Sequence, residues 1–218
     1  MTVITISREI GSGGGDIAQQ VAKELGYHLV DKPVIEQVLL QYGFAQFSEE
    51  YEFAPNYWSQ FDSVREQMIG MLDRVIRAFA RQGDVVIVGR GSFAALGDLA
   101  DVLNVRVQAP VSERVARIMA TRDIATHEEA RQMISESDEL RYAFIQSWYH
   151  TRWDAANAFD LVISTGKVAP ELAVKWILET NHSMPDAWIE GSPTTRDLVT
   201  DVVLAETVEN VLARKEPV

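Results

Sequence analysis

A chain of 218 residues with 47% apolar and 24% charged residues has the balance of a globular domain, with room for one substantial core. Its formal net charge of −12 argues against a nucleic-acid partner, because neutralising phosphates takes clustered Lys and Arg, yet a nucleotide still fits one local basic pocket. There is no cysteine, the four histidines (His28, His127, His150, His182) are scattered, and neither a leader pattern nor a membrane-length apolar run occurs. Disulfides, thiolate chemistry and a histidine metal site are thereby excluded, and a cytoplasmic protein without a membrane partner is expected.

The first predicted strand, Val3 to Ser7 (VITIS), is β-branched and followed at once by glycines. Asp16 opens the first predicted helix, with Ile17, Val21 and Leu25 at helical spacing and Gly26 as its stop. Tyr27 to Val30 reads as a second strand ending at Asp31, and Pro33 suits the first turn of the next helix. Residues 44–62, aromatic and acidic, read as an insertion packed over a cleft. A long helix from Ser63 to Gln82 leads into a third strand, Val85 to Val88, which runs into Gly89-Arg90-Gly91.

A fourth strand, Asn104 to Gln108, precedes an arginine-rich helix capped by Ser112. Thr126 starts another helix reaching about Tyr149, so that residues 112–150 form a lid-like helical pair. Leu161 to Ser164 is the fifth strand and Pro170 to Glu179 a further helix. Residues 181–193 read as a linker, and Thr194 to Arg214 as one capped helix with Leu198, Val202, Ala205, Val208 and Leu212 on one face. That face packs on the domain or on a second copy, which makes a homodimer one expected assembly.

Short apolar strands alternating with helices predict an α/β fold: a five-stranded parallel sheet between two helical layers over residues 1–180, with a helical extension over 181–218. Ligands of such sheets bind beyond the carboxyl ends of the strands. The turn after strand one, Asp31 after strand two and Arg90 after strand three all fall there.

Gly11-Ser12-Gly13-Gly14-Gly15, wedged between a strand and a helix, fits a loop whose backbone N–H groups converge on a phosphate, aided by the helix dipole. Gly13-Gly14-Gly15-Asp16-Ile17-Ala18 also satisfies G-x-G-x-x-A, with Asp31 as a ribose ligand. A dinucleotide fold, however, places its first glycine almost directly after the strand, whereas Gly13 stands six positions beyond Ser7. Loop length therefore favours a P-loop. Against G-x-x-x-x-G-K-[ST] the chain keeps Gly13 but has Arg8 at the first glycine, Gly14 at the lysine and Gly15 at the Mg²⁺-binding hydroxyl. Asp16 reads as a helix cap whose charge opposes tight triphosphate binding.

The segments ITISREIGSGGGDIA, YHLVDKPVI, VVIVGRGSFAAL, VRVQAPVSERVARIM and SESDELR…DLVISTGKVAPELA together resemble the cytidylate-kinase-like family, a branch of the nucleoside monophosphate kinases. The resemblance runs in order from residue 3 to about 177 and implies a P-loop fold, transfer of the terminal phosphate of ATP to CMP or dCMP with Mg²⁺, and a mobile arginine-bearing lid. It casts Gly11 to Gly15 as the ATP-phosphate loop, Arg114, Arg117 and Arg122 as lid arginines, and Asp138 and Arg141 as contacts to the monophosphate nucleotide. Many relatives carry a basic residue near position 15, where this chain has glycine.

Phosphoryl transfer needs fixed cations around the spreading charge, and without the lysine arginine has to supply them. Arg8, beside the loop, is the first candidate. Arg90, between two glycines, suits two-bond capture of a substrate phosphate, and Asp31 either orients substrate or caps the helix at Pro33. Each arginine has a plain alternative, such as Arg117 pairing with Glu113 on the surface. Trp148, Tyr149 and Trp153 either stack on a base or form core. Three functions stand: an active nucleoside monophosphate kinase, a nucleotide-binding or regulatory protein that has lost catalysis, and, disfavoured by loop length, a dinucleotide-binding oxidoreductase.

Overall fold

The computed structural model describes residues 2–44, 62–184 and 191–214. At its centre β1 (Val3–Arg8) runs parallel to β3 (Val85–Val88) and β4 (Val102–Gln108), with Ile6 opposite Val88 and Arg8 opposite Val107. β2 (His28–Val30) flanks β3 and β5 (Leu161–Ser164) flanks β4, giving the all-parallel order β2-β3-β1-β4-β5. Here β3 separates β2 from β1, whereas the dinucleotide fold pairs its first two strands directly. The topology is not that of the oxidoreductase alternative.

The α-helices among the described residues are α1 (Gly14–Leu25), α2 (Lys32–Gln41), α3 (Asp62–Gln82), α4 (Ser92–Ala95), α5 (Val111–Thr121), α6 (His127–Tyr149), α7 (Pro170–Ser183) and α8 (Val202–Ala213). Strand alternation sorts the core into two layers. Ile4, Ile6, Val86 and Val105 meet Ile17 and Val21 of α1 and Ile177 of α7. Val3, Val85 and Ile87 meet Val38 of α2, Leu72, Ile76 and Phe79 of α3, and Val208 of α8. Each large aliphatic buried this way contributes about 1.5–3 kcal/mol. The predicted three-layer fold is therefore present, with all five predicted strands in place.

Beyond the sheet, α5 and α6 pack Val115 and Ile118 on Ala130 and Ile134. Thr126 caps α6 through a reciprocal bond with Glu129, as the sequence indicates. No helix among the described residues is long and apolar enough to cross a membrane.

Three local expectations are corrected. α1 starts at Gly14, not Asp16, because Gly13 is the N-cap, at φ 78°. Pro110, not Ser112, precedes α5 as its cap. The predicted Thr194–Arg214 helix is two pieces: Thr194 caps a single 3₁₀ turn, Thr195–Asp197, and Asp201 caps α8. Tertiary bonds impose that break. Asp101 takes the N–H and hydroxyl of Thr195, while Arg81 donates to the carbonyls of Arg196 and Leu198. Val202 is consequently 69% exposed, and Leu204, Val208, Val211 and Leu212 form the buried face, which packs on this domain. The aromatic insertion, with Tyr51, Phe53, Tyr57 and Trp58, lies outside the described residues apart from Phe44 and Asp62 at its ends.

Candidate active site

The loop between β1 and α1 closes on itself first. Ser12 donates both its N–H and its hydroxyl to the Glu9 carbonyl, at 3.3 and 2.8 Å, and its Oγ accepts from the Gly14 N–H at 3.4 Å. The ladder of α1 begins with Ile17 N–H to Gly13 C=O at 3.1 Å, so Gly15 and Asp16 in the first turn have no intrahelical acceptor.

The loop is then tied from behind. Arg114 Nε donates to the Ile10 carbonyl at 2.7 Å. Arg117 donates to the Ser12 carbonyl at 3.2 Å and to Oγ1 and O of Thr165 at 2.8 and 2.7 Å, and Thr165 Oγ1 donates to the same Ser12 carbonyl. In a trans peptide the N–H of one residue points opposite the preceding C=O. Anchoring the carbonyls of Ile10 and Ser12 therefore turns the N–H groups of Gly11 and Gly13 to the other side of the loop. Arg117 bonds to the loop and to Thr165, so the alternative of a surface pair with Glu113 is replaced by an anchoring role.

Glu9 organises a buried charge cluster behind this turn. Its carboxylate accepts from Arg106 at 3.1 Å and from the Ala109 N–H at 3.1 Å, and lies 3.3 Å from Arg114. Burial lowers the Arg106 guanidinium from its ordinary value, with the Glu9 carboxylate foremost among the charges opposing that shift. Arg106 also lies over the Trp153 ring, 4.5 Å from its centroid, and Trp153 Nε1 donates to Ser7 at 3.0 Å. Of the two readings of Trp153, the structure takes core.

Beside the loop, at the carboxyl ends of β1 and β3, opens a cleft of about 440 Å³, which Arg8 and Ile10 line and the residues from Gly11 to Gly15 do not. Among the described residues, five cationic side chains line it, Arg8, Lys32, Arg90, Arg122 and Arg141, with one carboxylate, Glu136. In a chain of net charge −12 this is a focused positive field suited to a polyanion. Arg90 is 7% exposed and donates to Glu36 at 3.0 Å, which fixes it at the cleft wall. Arg141 bonds Ser137 one turn earlier, and Arg122, exposed, reaches the Met133 sulfur at 3.4 Å.

The structure thus brings together Arg8, Arg90, Arg122 and Arg141 from four elements or their ends. Arg114 and Asp138 lie elsewhere: Arg114 is 2% exposed and grips Asp138 with two bonds, behind the loop. Asp31 accepts from the Val34 N–H at 3.3 Å as the cap of α2 and is not among the cleft's lining residues. Sequence reasoning missed Glu9, Lys32 and Arg106. A signal existed for one of them: an arginine between Val105 and Val107 in a central strand requires a buried acid partner.

The sheet order and the strand–loop–helix site define the class, a P-loop kinase fold. Among solved structures, an uncharacterized protein from Eubacterium ventriosum matches 84% of this chain and 99% of its own at a TM-score of 0.68 and 20% identity. The shikimate kinase of Bacteroides thetaiotaomicron matches 83% of this chain and 98% of its own at 0.53 and 12% identity, a likeness of fold. Residues 3–167 match the cytidylate kinase-like family, and the chain belongs to that family. It is 32% identical to the cytidylate kinase of Ignicoccus hospitalis over 177 residues, 81% of this chain and 97% of that one. With the cytidylate kinase of Pyrobaculum aerophilum it shares 28% identity over 182 residues, 82% of this chain and 92% of that one.

Proposed function

We propose that this protein is a nucleoside monophosphate kinase that transfers the terminal phosphate of ATP to CMP or dCMP. The observation that carries the reading is the gathering of Arg8, Lys32, Arg90, Arg122 and Arg141 in one cleft beside the phosphate-type loop. Two phosphorylated substrates meeting end to end bring several negative charges together, and such a cleft is built for that. The names of the family and of its relatives point to cytidylate as acceptor.

In this reading the N–H groups of Gly11, Gly13 and Gly15 hold the ATP phosphates, and Arg90 holds the acceptor phosphate. An oxygen of that phosphate attacks the terminal phosphorus of ATP, one P–O bond forms as the bond to ADP breaks, and the cleft arginines offset the charge on the transferring group. Arg114 and Arg117 act as positioning residues by fixing the loop from behind, and Arg122 is the lid arginine nearest to substrate.

Mg²⁺ finds little to bind in the loop. Gly15 has no side-chain oxygen, Glu9 is engaged by two arginines and an N–H, and no trio of metal-binding side chains occurs among the described residues. An ion accompanying ATP is held here by phosphate oxygens and water, and no step is assigned to it.

The second reading, a nucleotide-binding or regulatory protein without turnover, is favoured by the glycines at positions 14 and 15. A coupled assay of ADP release across CMP, dCMP, UMP and AMP separates the two. ADP release that depends on CMP or dCMP supports the kinase; ATP binding with silence for all four acceptors supports the binding protein.

A further inference from the structure

Positions 8 and 14 share one space, and only one of them can carry a long side chain. Arg8 ends β1 and Gly14 begins α1. A Cβ on Gly14 would stand 2.6 Å from Arg8 Cβ, 3.1 Å from Val107 Cβ and 3.3 Å from Arg8 Cγ. The closest of these atoms is fixed to the backbone of a central strand, so it cannot swing aside. Further out, the Arg8 guanidinium lies against Gly89, at the end of β3, where a Cβ would overlap it. Two glycines on separate elements thus leave a passage for one arginine, which emerges in the cleft beside Arg90.

In the usual phosphate loop, G-x-x-x-x-G-K, the first position is a glycine with no side chain and the lysine after the second glycine reaches the phosphates. In this chain the first position is Arg8 and the lysine position is Gly14. We infer that the two positions have exchanged roles. Arg8 is the phosphate-binding cation of the loop, delivered from the strand end, while Gly14 and Gly89 are the positioning residues that let it through. The absence of lysine at position 14 is then no loss of charge, because the charge has moved. This deepens the kinase reading and rests on it for the identity of the anion, a nucleoside polyphosphate.

The exchange makes a reciprocal test possible. The variants Arg8→Gln, Arg8→Gly, Gly14→Lys and the double variant Arg8→Gly with Gly14→Lys are compared with wild type. Tripolyphosphate binding is read by calorimetry, melting temperature by scanning, and ADP release with CMP in parallel. Arg8→Gln keeps the stem and removes the charge, so it carries the binding comparison if Arg8→Gly fails to fold. Losing one charge-assisted pair to phosphate weakens tripolyphosphate by roughly tenfold or more in both. Gly14→Lys lowers the melting temperature and also weakens binding, although it adds a positive charge. The double variant recovers affinity to within a few-fold of wild type.

Arg8→Gln binding as tightly as wild type overturns the inference. So does Gly14→Lys with unchanged melting temperature and tighter binding, or a folded double variant that binds no better than Arg8→Gly. Wild type that shows the expected binding pattern but transfers no phosphate to CMP, dCMP, UMP or AMP sinks the kinase reading and leaves the exchange standing.

Discussion

Arg114 closes a two-bond fork on Asp138, Nη1 to Oδ2 at 2.7 Å and Nη2 to Oδ1 at 2.8 Å, and so joins α5 to the middle of α6. The same guanidinium donates through Nε to the Ile10 carbonyl, so one side chain couples α5 and α6 to the glycine-rich loop. Asp138→Ala leaves a guanidinium that is 2% exposed with Glu9 as its remaining countercharge among the described residues. Because Asp138 itself is 29% exposed, the expected cost is about 2 kcal/mol, below the full penalty for breaking a buried pair. Urea unfolding measures it. An unchanged midpoint would show the fork to be incidental.

Glu9 carries more. It meets both Arg106 and Arg114, which are 3% and 2% exposed, and neutralising it leaves two buried guanidinium groups short of countercharge. Glu9→Gln is expected to destabilise by about 3 kcal/mol in urea unfolding and to weaken nucleotide binding as the loop loses its support.

Arg90→Ala removes the cleft cation assigned to the acceptor and strands Glu36 beside Lys32, 3.8 Å away. The expected result is a rise in KM for CMP of roughly tenfold or more, with KM for ATP little changed. Steady-state kinetics with each substrate varied in turn separates the two. A rise confined to ATP would reassign Arg90 to the donor side.

Hydrogen bonds from the backbone and side chain of Thr194 hold the Asp197 carboxyl below the usual carboxylate range. A pKa depressed on folding stabilises the native state above the unfolded value, near 4, and that stability fades as pH falls through the lower folded value. Wild type therefore loses stability as pH drops below about 4. Asp197→Asn, followed by unfolding midpoint against pH, gives a flatter curve there.

Strands and helices were legible wherever periodicity and caps agreed, as at Val85–Val88 and at Thr126 opening α6. The C-terminal helix was misjudged because its apolar spacing continues through 198–202, while Arg81 and Asp101, about a hundred residues away, capture the backbone groups a single helix needs. No local pattern carries that. At the site, Arg8 could be picked out because it lies beside the glycine-rich loop, and Arg90 because glycines flank it. The roles of Arg114 and Arg117 could not, since a guanidinium facing solvent and one folded back on a loop carbonyl look alike in sequence, whereas the capping role of Asp31 was one of its two readings. Lys32 needed the third dimension to join them.

The most direct test of the account is to mix the protein with ATP, Mg²⁺ and CMP and follow the phosphorus resonances by NMR. Equimolar ADP and CDP, formed at the expense of ATP and CMP and slowed by Arg90→Ala, is the predicted result. Resonances that stay those of ATP and CMP, with dCMP equally inert and ATP demonstrably bound, would contradict it.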